Sequence, residues 1–413
     1  MKALLLILLV CLACVTQARR ITVKEDVSLK NAVQNAIAGD TIMVSAGRYK
    51  PGNLIIRVPL VLTGVNQPVL DGEGRFEVIT VQTPGVTIRG FRIVHTGVSS
   101  IEDFAAIKVI AGHHVTIDNN IIEEAFFGIH LSNTDSARIS NNIISHTEQP
   151  EESRVGNGIH LWKCQGAVIT RNQITGHRDG IYFEFVTGSR VESNFSHHNL
   201  RYGLHFMFSH QDTYLNNRFE SNGAGVAVMY THHVTMIGNS FIRNWGPSAY
   251  GLLLKEIRDS EVSQNIFESN TMAIYMEGSS RITLSGNEFR TNGYAVRLQA
   301  SCDDNHFARN NFKGNTFDLA TNGSLVMNKL DHNYWDRYEG YDLNHDGIGD
   351  IAYHPANLFT LISERIPAAM VLWRSFTVYL MDRAEKAIPS LIPAGLQDTA
   401  PMMKSYDRLA STR

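Results

Sequence analysis

The sequence predicts an all-β protein that winds as a right-handed parallel β-helix, a solenoid in which each coil repeats the one before. A phrase of the form apolar-x-apolar-x-polar-Asn-x-Ile or Phe returns every 22 to 30 residues. Each unit holds short alternating segments separated by Asn, Gly and Ser, without a helical stretch. Periods of about 20 to 50 residues indicate repeat architectures, and short alternating segments favour a β-solenoid. The phrase aligns on Asn120, Asn142, Asn172, Asn194, Asn217, Asn239, Asn265, Asn287 and Asn310.

The recurring asparagine is expected at a corner where each coil turns. Neighbouring coils stack about 4.8 Å apart. Asparagine tolerates left-handed backbone, and it can hydrogen-bond the equivalent residue of the next coil. Inward apolar residues then form one continuous core, and strand twist favours right-handed coiling. An ordinary β-sandwich, the main alternative, has no reason to keep a 22-residue period.

The N-terminus, residues 1–18, has the composition of a secretory signal peptide. Lys2 precedes a long apolar run, and Ala18 offers a cleavage point. Lipidation of Cys11 or Cys14 is the alternative. The sequence therefore predicts that the protein is exported.

The exported part divides into three regions: the solenoid over 19–325, an Asp/Gly-rich loop region over 326–357, and a helical docking segment with a tail over 358–413. Solenoids need caps, and residues 28–37 place apolar side chains on one helical face. We expect this helix to close the N-terminal end. Its apolar face comprises Leu29, Ala32, Val33, Ala36 and Ile37.

The C-terminal segment is predicted to form one or two amphipathic helices, broken near Pro367. Its longest uncharged stretch is too short to span a bilayer. It is expected to cap the C-terminal end of the solenoid, to dock onto another protein at the membrane surface, or to do both, with Trp373 and Phe376 as candidate partner-binding residues. The tail, which contains Met402, Met403 and Lys404, is expected to be mobile.

Two cysteines, Cys164 and Cys302, follow the signal peptide. Exported proteins usually pair their cysteines. Here about six coils separate the two residues, roughly 29 Å at the coil spacing. A disulfide needs Cα atoms within about 7 Å, so we predict free thiols or metal ligands.

A second recurring phrase predicts an exposed ribbon of side chains along one sheet. It includes GLHFMFSH at 203–210 and GVAVMYTH at 225–232, which start 22 residues apart. Alternation along a strand points its third and fifth letters outward. The third-letter column is His130, His160, Tyr182, His205, Ala227 and Leu253. The fifth-letter column is Ser132, Trp162, Glu184, Met207, Met229, Lys255 and Glu277.

Met207 and Met229 stand in register within this ribbon, and His210 and His232 follow them around the next turn. Thioether and imidazole are ligands for the soft ion Cu(I). His205, Met207, His210, Met229 and His232 are therefore a candidate Cu(I) site. The alternative is that the register slips by one residue, which would turn both methionines into the core.

The loop YEGYDLNHDGIGD, followed by IAYHP, resembles a calcium-binding loop. Asp342, Asn344, Asp346 and Asp350 match ligand positions 1, 3, 5 and 9 of that loop. Position 12 is Tyr353 instead of the bidentate Glu. The loop either binds Ca²⁺ or is an Asp/Gly-rich structural turn.

Charge and side-chain spacing limit the remaining classes of function. The formal net charge of −3 argues against nucleic acid and against direct binding to an anionic membrane. Trp162, Tyr182 and Glu184 could form a carbohydrate platform or a protein-binding surface. The acids of the ribbon, Glu184 and Glu277, lie about 19 Å apart, too far for glycoside hydrolysis by a carboxylate pair. We therefore expect that the protein is not an enzyme. A metal-free scaffold that binds other proteins is a further alternative to the Cu(I) and carbohydrate interpretations.

Four stretches together resemble the NosD family: AGDTIMVSAGRY, GLHFMFSH with GVAVMYTH, YEGYDLNHDGIGD and FTLISERIPAAMVLWRSF. The resemblance covers essentially the whole exported chain. It implies a parallel β-helix in the periplasm, held at the inner membrane through the permease and ATPase subunits of an ABC transporter. It also implies a membrane-anchored copper chaperone, NosL, as Cu(I) donor and nitrous oxide reductase as client. It implies no catalytic residue.

Overall fold

The protein winds as a β-helix built from three long parallel sheets. In each coil the chain visits sheet 1, sheet 2 and sheet 3 in turn, and interior strands pair in parallel with the coils on both sides. The predicted parallel β-helix is confirmed. The computed structural model describes residues 18–25, 27–99, 101–147, 152–323, 327–387 and 396–406, so the predicted signal peptide, apart from Ala18, lies outside the described residues.

The strands are short, mostly three to six residues. Within the described residues, sheet 1 has 14 strands: Arg20–Val23, Thr41–Val44, Val61–Gly64, Thr87–Arg89, Thr116–Asp118, Arg138–Ser140, Val168–Thr170, Arg190–Glu192, Thr213–Leu215, Thr235–Ile237, Arg258–Ser263, Ser280–Ser285, His306–Ala308 and Lys329–Asp331. In the same described part, sheet 2 has 13: Arg48–Tyr49, Val69–Asp71, Arg92–Val94, Ile121–Glu123, Ile143–Ser145, Gln173–Thr175, Phe195–His197, Arg218–Glu220, Ser240–Ile242, Ile266–Glu268, Glu288–Arg290, Asn311–Lys313 and Tyr334–Trp335. Sheet 3 has 12 across these ranges: Leu54–Ile56, Ile79–Val81, Ala105–Ile110, Phe127–Ser132, Ile159–Trp162, Asp179–Glu184, Tyr202–Met207, Ala224–Met229, Tyr250–Lys255, Met272–Glu277, Tyr294–Leu298 and Phe317–Ala320.

The core is a set of side-chain ladders that run along the solenoid axis. Inward residues of the three sheets are fully buried and stack on their equivalents in the next coil. Ring centroids of the aromatic ladder in sheet 2 are 4.1 to 5.6 Å apart. Its members are Phe219, Phe241, Phe267, Phe289, Phe312 and Trp335.

The recurring asparagines form the predicted hydrogen-bonded ladder between sheets 1 and 2. Each backbone N–H and each Nδ2 donates to Oδ1 of the next asparagine, over 2.8 to 3.1 Å. The residue with left-handed backbone is the one before each ladder asparagine, such as Asn216 before Asn217. The left-handed turn therefore lies one residue earlier than predicted. The sequence analysis missed a second ladder between sheets 2 and 3, made of Asn199, Asn222, Asn244, Asn270, Asn292 and Asn315.

Helix α1, Leu29–Gln34, closes the N-terminal end as predicted. Ser28 caps it by accepting a hydrogen bond from the backbone N–H of Asn31. Leu29, Val33 and Ala36 are buried against the first coil. The helix is shorter than the ten residues that the pattern predicted.

The predicted break at Pro367 is present. Helix α2, Leu358–Arg365, is followed by a 3₁₀ helix, Pro367–Leu372, and by helix α3, Phe376–Ala387; a further 3₁₀ turn, Glu152–Arg154, lies between coils. Helix α2 packs on the outer face of sheet 3. Glu364 accepts hydrogen bonds of 3.1 and 2.7 Å from the guanidinium of Arg297.

The C-terminal end is closed by the tail, which the sequence analysis expected to be mobile. Oδ2 of the buried Asp398 accepts 3.0 Å hydrogen bonds from the backbone N–H and Nδ2 of Asn333 and from Nε1 of Trp335. Asp398 is thus the final acceptor of the asparagine ladder. The coils continue past residue 325, because Lys329–Asp331 and Tyr334–Trp335 extend sheets 1 and 2.

Cys164 and Cys302 are both buried and unpaired, as the coil spacing predicted. Burial raises the pKa of the Cys164 thiol to about 11. In the part of the chain that the structure describes, no helix has the length and apolar character needed to cross a bilayer.

Candidate functional site

Met207 and Met229 lie where the repeat predicted, in register on adjacent strands of sheet 3. Both side chains are partly exposed, whereas the preceding residues, Phe206 and Val228, are fully buried. Because side chains alternate along a strand, the methionines point away from the core. The core-filling alternative therefore does not describe these two residues.

His205 occupies the predicted row but is not exposed. It pairs with Tyr182 on one side and Ala227 on the other, and only 7% of its surface is accessible. The ring of Tyr202 packs over it with centroids 4.8 Å apart. Its Nδ1 lies 3.7 Å from a carboxylate oxygen of Asp179. His205 is thus outward-facing but covered, and it does not contribute to an open ribbon.

His210 and His232 form a stacked pair at the turn after sheet 3. Their ring centroids are 4.0 Å apart and the planes differ by 10°. Nδ1 of His210 lies 3.2 Å from the hydroxyl of Thr231, and Nδ1 of His232 lies 2.7 Å from Nδ1 of His233. Both imidazoles are half-buried.

Desolvation and the neighbouring basic groups lower the pKa of His210 and of His232. The basic groups include Arg258, which acts on both rings. A histidine must be neutral to bind a metal ion, so the environment favours the ligand form.

An exposed aromatic stack follows the fifth-letter column by one residue, so Phe208 and Tyr230 lie between the methionines and the histidines along the chain. Phe185, Phe208 and Tyr230 pack ring on ring, with centroid distances of 5.4 and 5.1 Å and interplanar angles of 13° and 12°. This stack was not predicted from the sequence. The signal was an aromatic residue directly after the fifth letter of the phrase in three consecutive coils.

The donor set fits Cu(I) better than a hard cation. Adjacent strands place the backbones of Met207 and Met229 about 4.8 Å apart, so the two thioethers start from neighbouring positions on the same face. Among the described residues, no group of three or more His, Cys, Asp or Glu side chains is arranged to hold a metal ion. The candidate ligands on this surface include two methionine sulfurs, and sulfur selects soft ions.

The predicted partner-binding residues of sheet 3 share the same outer face. Trp162 and Glu184 precede Met207 in the fifth-letter row, and Nζ of Lys163 lies 4.3 Å from the centre of the Trp162 ring. The hydroxyl of Tyr182 lies 3.4 Å from a carboxylate oxygen of Glu184.

The acids of this row stay apart, as the register predicted. Glu184 is followed by Met207, Met229, Lys255 and Glu277 on successive strands, so four coils separate the two carboxylates. Glu277 lies 3.6 Å from Lys255. This row contains no carboxylate pair at the spacing of a glycosidase.

The Asp-rich loop folds its oxygens onto its own backbone. The carboxylate of Asp342 accepts hydrogen bonds from the N–H groups of Asp346 and Gly347, and Asp350 accepts from Leu343. Asp346 also accepts hydrogen bonds, from Asn344 and Ile348. These contacts are those of a structural turn, and Ca²⁺ binding remains a prediction.

The two C-terminal candidates differ in exposure. Trp373 packs on Phe317 with ring centroids 4.8 Å apart, so it anchors the helical segment to sheet 3. Phe376 is 72% exposed. Further exposed apolar side chains of the same segment are Ile366, Val371, Leu372, Tyr379 and Leu380.

Solved structures with a similar backbone include the surface adhesin PfbA of Streptococcus pneumoniae, with a TM-score of 0.56, 10% identity, and coverage of 71% of this chain and 87% of the adhesin. The catalytic unit of an α-1,3-glucanase from Streptomyces thermodiastaticus gives a TM-score of 0.58 at 15% identity, covering 75% and 62% of the two chains. A family 28 exopolygalacturonase of Yersinia enterocolitica gives 0.55 at 10% identity, covering 78% and 79%. At these identities the likeness concerns the fold alone.

Sequence relatives are more informative. The family model of the periplasmic copper-binding protein NosD matches residues 147–344. A probable ABC transporter binding protein NosD of Pseudomonas aeruginosa is 30% identical over 379 residues, which are 87% of each chain. The protein of the same description from Stutzerimonas stutzeri is 27% identical over 378 residues, covering 87% of this chain and 86% of the relative. The chain therefore belongs to the NosD family of periplasmic copper-binding proteins.

Proposed function

We propose that this protein is an accessory factor that handles Cu(I) while the copper centres of nitrous oxide reductase are assembled. It would receive Cu(I) from the membrane-anchored chaperone NosL and work beside the permease and ATPase subunits of an ABC transporter. The observation that carries the proposal is the outward pair Met207 and Met229, followed around one turn by the stacked pair His210 and His232. The copper-binding description of the family supports it.

The metal part of the proposal rests on sulfur, so it is tested by removing sulfur alone. Met207→Leu with Met229→Leu keeps side chains of similar volume but deletes both thioethers. We expect Cu(I) affinity, measured by competition with a Cu(I) chelator, to fall at least tenfold. The matched control removes two partly or fully exposed methionines elsewhere, Met327→Leu with Met403→Leu. Equal affinities in the two double variants would overturn the site assignment.

The transporter is proposed to bind the exposed apolar surface of the C-terminal helical segment. Exposed apolar patches of this kind mark interaction surfaces. Deletion of residues 358–413 is a poor test, because it also removes Asp398 and with it the C-terminal cap. Phe376→Asp with Leu380→Asp changes two exposed residues and leaves the cap intact. We expect these changes to release the protein from the transporter without altering its β-sheet circular dichroism; retained binding would refute this role.

The relatives are named as binding proteins, and the exposed row on sheet 3 lacks a pair of acids at catalytic spacing. We therefore propose that the protein turns over no glycan. Incubation with polygalacturonate and related polymers should release no reducing ends, and a detectable product would reverse this conclusion.

A further inference from the structure

Three consecutive coils place an aromatic side chain where the backbone disfavours one. Phe185, Phe208 and Tyr230 have positive φ values of 56°, 50° and 55°. In the coils on either side, the same corner position is taken by Asn133, Lys163, Glu256 and Gly278. Left-handed backbone is costly for bulky side chains and easy for glycine and asparagine. The three rings are also 44%, 39% and 37% exposed, so they do not fill the core.

The aromatic stack ends at Tyr230, because the next coils have no ring at its position. In the two coils after Tyr230, the same corner position is occupied by Glu256 and then by Gly278. The column two residues further along the chain, which contains His232, continues with Arg258 and then with Ser280. The loss of large rings leaves a groove of about 490 Å³, whose lining includes all six of these residues. Tyr230 and His232 are the last rings of their stacks, so their far sides face the groove.

The groove carries two exposed charges of opposite sign. Within the described part of the chain, Glu256 and Arg258 are exposed and neither forms an ion pair. A ligand that fits would therefore combine a flat ring with an acidic group for Arg258 and a basic group for Glu256. Polypeptide segments supply all three in consecutive side chains.

The charges of the groove argue against a neutral or acidic polysaccharide, because such a polymer has no basic group for Glu256. Within the stack, Phe208 is covered on both faces, by Phe185 and by Tyr230, so it offers no open face to a sugar ring. Exposed aromatic rings next to flexible methionines form an adaptable apolar surface of the kind that recognises proteins.

We propose that this groove docks a protein segment that inserts one aromatic or imidazole ring against Tyr230 and His232. The inference rests on the proposed function in one respect: the partner is the protein that exchanges copper with this chain. A ring-bearing segment in the groove lies directly beside the His210–His232 pair. Docking there would bring a copper donor or acceptor within reach of the proposed ligands.

The test uses the full exported chain and copper-free partners, in buffer containing a chelator. The chaperone's soluble domain and the apo-reductase are each titrated by biolayer interferometry. Ser280→Trp fills the groove, and Gln165→Trp puts the same ring into the same column five coils earlier. We expect Ser280→Trp to weaken binding of at least one partner by tenfold or more, and Gln165→Trp to bind like the wild type.

A second variant separates a loss of docking from a loss of folding. Phe208→Asn with Tyr230→Asn introduces the residue that favours left-handed backbone. The thermal midpoint should stay within a few degrees of the wild type, while partner binding falls tenfold or more.

The outcomes are distinct. Unchanged binding of both partners to Ser280→Trp overturns the docking site. Groove-dependent binding of oligogalacturonate in place of protein overturns it as well. Absence of any binding to the wild type overturns the proposed function together with the docking site.

Discussion

The asparagine ladder gives the sharpest stability prediction, because two adjacent asparagines differ in whether they belong to it. Asn217 is 1% exposed. Its Nδ2 donates to the carbonyl of Val191 and to Oδ1 of Asn239, over 2.9 and 3.0 Å. Its Oδ1 accepts from the backbone N–H and Nδ2 of Asn194, both at 3.0 Å. Its neighbour Asn216 is exposed and supplies only the left-handed turn.

Asn217→Ala removes four buried hydrogen bonds at once. At about 1 kcal/mol for each, the free energy of unfolding should fall by about 4 kcal/mol. Asn216→Ala should cost only about 1 kcal/mol, the penalty for alanine in left-handed backbone. The test is therefore the ratio of the two losses in the free energy of unfolding, which matters more than either absolute value.

Guanidinium unfolding followed by far-ultraviolet circular dichroism measures both losses as shifts in midpoint. Coils interact chiefly with their neighbours in a solenoid, so the weakest point should lie at this coil. Limited proteolysis of Asn217→Ala should accordingly cut near residues 194–239 first. Equal midpoint shifts for the two alanine variants would refute the view that the ladder stabilises the stack beyond its role in the turn.

Two further predictions concern pH. Burial lowers the pKa of His130 to about 4 and of His160 to about 3, below the ordinary 6.5, so the unfolded chain takes up protons first. Stability from these residues should be full above about pH 7 and fall as pH drops from 6.5 toward 4; His130→Gln with His160→Gln should flatten the fall of the thermal midpoint, and an unchanged profile would contradict this. Burial raises the pKa of Asp318 to about 6, so its stability contribution is lost as pH rises from about 4 through 6. Asp318→Asn should therefore unfold at a higher temperature than the wild type at pH 7.5, and a lower midpoint would show that the charged form is stabilised.

The repeat alone was enough to predict which side chains share a row. One strand per coil enters each sheet, so residues one period apart must pair. The observed partners His160 with Tyr182 and Met207 with Met229 are those that the phrase aligned. The solvent exposure of each outward side chain in a row could not be predicted from the repeat in the same way. His205 is covered by Tyr202 at the start of the same strand. Tyr202 stands between Asp179 and Ala224 in its own row, and because the side chains of that row differ in type and size, the period predicts the position but not the cover.

The tail shows a second limit of sequence reasoning. Asp398 lies 65 residues after Asn333 and 63 after Trp335, yet it accepts hydrogen bonds from both. Asp398 acts as a cap because Asn333, the final asparagine of the ladder, needs a hydrogen-bond acceptor that no further coil supplies. The repeat ends before this residue, so no period predicted it, and a short polar tail was expected to be mobile.

The outer face of sheet 3 carries both of the surfaces that the proposed function needs. Helix α2 binds this face at Arg297, three coils beyond Ala227 in the same row. The C-terminal helical segment and the methionine pair are thus about 14 Å apart along one stack of strands. Stacked coils share backbone and asparagine hydrogen bonds at every step, so the solenoid cannot stretch between the two surfaces. We therefore expect any movement of the C-terminal helices to reorient the face that carries Met207 and Met229 as a rigid unit. In the proposed function, such a movement would act on copper transfer by changing which partner can reach the groove.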